Sequence, residues 1–281
     1  MNNPLLKHFR QPKLFIRLPS NGEFYPRGSI EISENNEYPV LAMTAKDELM
    51  IKTPDALLNG QSTVSVIQSC IPNIKNAWNV PSIDIDAILI AIRIATYGEN
   101  MDMSINVPGI EEEKTYSLDL RILLDRLSSA AYDNLIILDD FKFEVAPISY
   151  KKFTEVALKS FEEQRLFKIV NDDTMSELDK LQKFNEAFSR LTDLNIKQVI
   201  NSVKAIQFQD EDVVDNPKHI DEFLSNIDKT VYAGIISHID KQREKFSIKP
   251  MTITFDEDEQ SRGAPATMDI PITFDQSNFF A

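Results

Sequence analysis

Apolar side chains recur along this chain in three rhythms, and each predicts a different kind of element. In PSIDIDAILIAIRIATYGEN the positions from Ile88 to Ile94 are all apolar except Arg93. A run without a polar face predicts a helix buried on most sides, with Ser82 or Asp84 as its N-cap and Gly98 as its stop. It is the expected centre of the first half. Further on, apolar residues return every three or four positions. Leu178, Leu181, Phe188 and Leu191 follow a capping box of Thr174 and Glu177, and Ile196, Val199, Ile200 and Val203 continue the pattern in a further helix. Asn216 and Pro217 then open one long helix whose stripe runs Ile220, Phe223, Leu224, Ile227, Val231, Ile235 and Ile239. A stripe of that length packs in a bundle or against a partner.

The third rhythm is alternation. MSINV, KTYSLDL, NLIILD and FKFEVAP read as strands around one helical stretch near Leu120 to Ala131. Between Lys13 and Met43 the pattern is short and broken, with SNG as a turn signal and β-favouring residues in SIEIS and YPVLAM. STVSVIQSCIP reads as a short helix ending before Pro72, while MTITFD and MDIPITFD are β-like stretches flanking the loop EDEQSRGAPAT.

The polar residues of TAKDELMIKTPDALLNG, Thr44 to Gly60, are dense enough to raise the question of an active site. Their spacing favours the ends of two short helices instead. Thr44 with Asp47 makes a capping box, and Asp47 and Glu48 fall in a first turn, where the helix dipole favours negative charge. Thr53 is suited to a second N-cap, Pro54 to the first helical position and Gly60 to a left-handed stop.

Composition narrows the functional classes. A chain of 281 residues, 42% hydrophobic and 26% charged, is a soluble globular protein of one large domain or two modest ones. Thirty basic against forty-four acidic side chains give a net charge of −14, which repels a phosphate backbone, so no nucleic-acid partner is expected. The longest strongly apolar run, AILIAI, is far too short to cross a bilayer. Pro4, Lys7, Arg10, Pro12 and Lys13 interrupt the first residues, so no secretory h-region is expected and the chain should stay in the cytoplasm. Cys70 is the single cysteine, which agrees with a reducing compartment.

Catalytic motifs do not emerge. The seven glycines build neither G-x-x-x-x-G-K-[ST] nor G-x-G-x-x-G, and there is no G-x-S-x-G. His8, His219 and His238 form no zinc spacing, and Cys70 in IQSCIPNI reads as a small buried thiol. Arg93 must find an acid or several carbonyls, and a structural ion pair is expected. The segment MDIPITFDQSNFFA carries adjacent aromatics, Phe279 and Phe280, which either fold back as a final strand or serve a partner's apolar pocket.

Taken in order, LPSNGEFYP, MTAKDELMIKTPDALLNG, VIQSCIPNI, PSIDIDAILIAIRIATYG and FDQSNFF resemble the baseplate hub assembly proteins of T-even-type contractile-tailed bacteriophages. The likeness covers the first 100 residues, then the helix near IDEFLSNID and the tail. It implies a role in building the central hub of the phage baseplate, from which the tail tube grows, and no enzymatic activity. Some relatives place paired cysteines before the FD…FF segment. Here MTITFDEDEQSRGAPATMDIPITFD holds that place without cysteine, so a hairpin without metal is expected.

The expected fold is α+β: a strand-rich opening and small mixed half, then a mainly helical half with a short β-like tail. The expected domains are 1–148, 149–247 and 248–281. The expected function is that of a non-enzymatic hub assembly factor, a chaperone of virion assembly that binds hub or tape-measure subunits in the host cytoplasm. The alternatives are a structural hub subunit kept in the virion baseplate and an envelope-acting tail hydrolase, which would need two carboxylates in a cleft. No catalytic, cofactor or metal residues are expected, and the partner-binding candidates are Phe24, Tyr25, Phe274, Phe279 and Phe280.

Overall fold

The computed structural model describes residues 5, 8–52, 60–110, 112–169, 176–272 and 279–280. The architecture is α+β, with small antiparallel sheets and helices arranged around three hydrophobic clusters. In the first, strand β1 (Pro12–Ile16) pairs antiparallel with β2 (Tyr38–Leu41). Helix α1 (Ala45–Ile51) follows, then α2 (Gln61–Cys70) and α3 (Ser82–Tyr97). Ile88, Ile90, Ala91 and Ile92 of α3 are fully buried, which is the burial on most sides that its unbroken apolar run requires. Pro81, not Ser82 or Asp84, occupies the N-cap, since proline cannot donate there and needs no partner; Gly98 closes the helix at φ 94°.

Strand β3 (Asn100–Ile105) pairs with β4 (Lys114–Asp119), and α4 (Leu120–Ser129) starts where β4 ends, Asp119 accepting from the Arg121 amide at 2.8 Å. The second cluster is built on a three-stranded sheet of β5 (Leu135–Leu138), β6 (Phe141–Val145) and β7 (Val203–Phe208). Two helices leave the sheet after β6 and return at β7: α5 (Tyr150–Ile169) and α6 (Glu177–Ser202). They form a helical arm inserted between paired strands, and the cores therefore do not divide at residue 148. Val203, expected to extend a helix, begins β7 and pairs with Val145, because sheet pairing supplies the backbone partners that the helix end lacks. The Thr174 cap and the Thr53–Pro54 helix start lie outside the described residues, while Gly60 is the left-handed residue before α2.

The long stripe from Ile220 to Ile239 is two helices, α7 (Pro217–Asn226) and α8 (Lys229–Lys245). Asp228 caps the second by accepting from the Thr230 amide at 2.7 Å, and Ile227 takes an extended ψ of 158° between them. The stripe survives the break, since Ile220, Leu224, Val231, Ile235 and Ile239 all enter the second cluster. The third cluster holds the hairpin of β8 (Met251–Thr254) and β9 (Thr267–Ile270), joined through the short α9 (Glu257–Ser261). It packs on the β3–β4 hairpin so closely that a Cβ on Gly109, at φ 80°, would lie 2.3 Å from the Arg262 carbonyl oxygen. The Lys114–Glu259 ion pair ties the two hairpins together.

Candidate partner-binding surface

The polar stretch around Thr44 closes on itself. Thr44 and Asp47 form the capping box, and the buried Asp47 carboxylate also accepts from the Thr44 hydroxyl at 2.7 Å and the Ser69 hydroxyl at 3.0 Å. Arg10 completes the clasp by donating to Asp47 at 3.4 Å, to Ala42 O at 2.5 Å and to Ser69 O at 2.6 Å. A carboxylate with this many donors on one oxygen is held in place. Cys70 lies beneath, its thiol pushed up to about 12 by burial and then by the charge of Asp47, which removes the thiolate that nucleophilic chemistry needs.

Phe24 and Tyr25 sit in a turn anchored at the other end of the same core. Gly22, at φ 80°, passes within van der Waals reach of Tyr38, and an added Cβ would come 2.8 Å from its hydroxyl. The turn is locked by Asp84 in the first turn of α3. This fully buried carboxylate accepts from the Ser20 amide at 2.8 Å, the Ser20 hydroxyl at 2.5 Å and the Tyr25 hydroxyl at 2.9 Å. Burial pushes its pKa up to about 6, and the Ser20 and Tyr25 hydrogen bonds oppose that rise. Tyr25 is thus engaged inside the chain at its polar end. Phe24, at φ 65°, is half-buried and meets Tyr132 edge to face at 5.4 Å. Both rings line one surface pocket with Lys152 and Lys204.

Phe279 and Phe280 are elsewhere. They form a short turn rather than a strand, and their rings, edge to face at 4.9 Å, are buried in the first cluster. The Tyr97 hydroxyl bonds both the Phe280 carbonyl, at 3.2 Å, and the Glu48 carboxylate. Tyr25 and Phe280 therefore bond to opposite ends of α3, roughly 20 Å apart at 1.5 Å per residue. Phe274 lies outside the described residues. Arg93 makes no ion pair among the described residues: its guanidinium donates to Gly98 O at 3.3 Å and lies over the Tyr97 ring at 5.0 Å, a carbonyl and a π-face replacing the expected acid.

Several large apolar side chains are exposed on the arm, where the sequence pattern placed apolar residues without revealing what covers them. On α6, Leu178 is 78% exposed, Leu181 59%, Phe184 44% and Phe188 61%. On α5, Phe153, Leu158 and Phe161 are also exposed. The Phe184 and Phe188 rings stack at 6.5 Å, one helical turn apart. Exposed large apolar side chains thus recur along both helices of the arm. No group of metal-ligating side chains occurs among the described residues, and none of their helices is long and apolar enough to cross a membrane.

A family model described as T4 bacteriophage base plate protein matches residues 17–255, which takes in most of the first core, the second core, the arm and the start of the tail hairpin. No curated protein and no solved structure matches the chain.

Proposed function

Because the chain belongs to the T4 bacteriophage base plate protein family, we propose that it is a non-enzymatic assembly factor of the baseplate hub. In this reading it binds hub or tape-measure subunits in the host cytoplasm and covers apolar surfaces that are later buried in the finished assembly. The observation that carries the reading is the apolar row of the arm, Leu178, Leu181, Phe184 and Phe188. Leucine and phenylalanine at these spacings fit the apolar face of a partner helix. The two buried carboxylates of the first core are both engaged within the chain, Asp84 by three donors and Asp47 by the clasp.

The test is affinity capture of the tagged chain from infected cells, with mass spectrometry of what it holds. Wild type should retain hub or tape-measure subunits, and a Leu178→Ser, Phe188→Ser variant should lose them while keeping its helical circular dichroism. Equal capture by both would refute the arm as the contact surface. A second reading, a subunit retained in the virion, is favoured by the family's description as a base plate protein. Stoichiometric copies in purified particles would select it over a factor that departs.

A further inference from the structure

A cleft of about 190 Å³ opens between α3 and α8, well above the ~30 Å³ share of one water and roomy enough for one long side chain. Its walls are largely apolar, with Ile83, Ile148, Phe153, Ile239 and Phe246 among them, and Asp86 of α3 faces into it. Among the described residues no hydrogen bond or ion pair reaches the Asp86 carboxylate, and burial alone pushes its pKa up to about 6. The contrast with Asp84, two residues earlier and satisfied by three donors, is direct.

Several other polar groups of the cleft already have partners in the chain. The Gln242 amide oxygen accepts from the Asp133 amide at 3.1 Å, Ser202 donates to Gln198 O at 3.1 Å, and Ser247 donates to Glu244 O at 2.8 Å. Arg243, the cation nearest to hand, is turned to Asp240 at 3.3 Å, on its own helix. Asp86 is therefore the one unanswered charge. A carboxylate left so in apolar surroundings costs folding free energy that asparagine or leucine would not. That cost is recovered when a cation arrives from outside, and a cation on a flexible aliphatic stem also satisfies the walls.

We infer that the α3–α8 cleft is a docking socket for one lysine or arginine side chain of another protein, with Asp86 as the counter-charge and the apolar walls around the stem. The inference rests on the reading that this chain works by binding other proteins, but it concerns a place distinct from the Leu178–Phe188 row, at the base of the arm where Phe153, Gln198 and Ser202 line the cleft. A failed capture experiment with the arm variant would leave the socket untouched, and the probes below report on the socket without any hub subunit.

The test uses the full chain labelled at isoleucine methyl groups, titrated separately with n-butylammonium, n-butylguanidinium, n-butanol, n-butyrate and spermidine. The Ile83, Ile148 and Ile239 methyl signals should move with n-butylammonium or n-butylguanidinium at roughly tenfold lower concentration than with butanol, the difference a charge-assisted contact makes, and butyrate should not move them. Asp86→Asn keeps the shape of the side chain and should erase the preference. Arg243→Ala should retain or sharpen it. Equal response to ammonium and alcohol, no response to any probe, or a preference that persists in Asp86→Asn would overturn the socket. A cleft that takes spermidine but not n-butylammonium is a small-polyamine site, which overturns docking as well.

Discussion

α3 and α6 are both rich in large apolar side chains, yet α3 encloses its own while α6 leaves many of its own in water. The difference lies in their surroundings. α3 is packed by β1, β2, α2 and α4, which bury most of its apolar side chains. α6 has α5 on one side and the second core at its carboxyl-terminal end, where Val199 is buried, while Leu178 and Leu181 near its start are exposed among the described residues. An apolar helix of the first kind holds the fold. One of the second kind is available for binding, and substitutions should separate the two roles.

The largest effect is expected in α3. Ile90→Asp places an unpaired charge at a fully buried position and should destabilise the protein by about 4 kcal/mol, read as a large drop in the denaturation midpoint. Phe280→Ala comes next. Its ring is buried in the same core, so removing it should cost about 3 kcal/mol, whereas a free tail would give no change in thermal unfolding.

Asp86→Asn should act in the opposite direction. The folded carboxyl gives up its proton near pH 6, against an ordinary value of 3.8. The native state thus binds more protons than the unfolded state across that window, and stability falls as pH rises through it. The penalty is complete above about pH 6 and absent below about pH 4. Asp86→Asn should therefore be more stable than wild type by up to about 2 kcal/mol at pH 8, allowing for partial exposure, with the gap closing by pH 4. A constant gap at both pH values would show that the asparagine acts through packing. The smallest stability effect belongs to the arm: Leu178→Ser with Phe188→Ser should stay within about 0.5 kcal/mol of wild type in urea titrations, since these side chains are already in water.

Local grammar was legible in the chain. The Thr44–Asp47 box, the Gly98 stop, the alternating strands from Asn100 to Val145 and the β8–β9 hairpin all follow from short-range sterics and hydrogen bonding, which neighbouring residues determine. The misreadings arose where two elements share one pattern. Val203 fits both the end of a helical face and the start of a strand, and only its pairing with Val145 decides. Ile227 continues the stripe of α7 and α8 while its backbone does not. The site was harder to read, because partners far apart in sequence define it. Phe24 and Tyr25 stood out as aromatics after a turn, but nothing local told that Tyr25 would bond Asp84. Asp86 looked like one more acid in SIDIDA, and its isolation emerges only when α8 is packed against α3.

The bond between Tyr97 and Phe280 joins residues 183 positions apart. A ribosome adding about 5–20 residues per second needs roughly 10–40 s to cover that distance. For that interval Phe279 and Phe280 have not yet been made, so the packing of the first core cannot be complete. The core that opens the chain is therefore closed by nearly its last residues, and its packing is finished only after translation has passed residue 280.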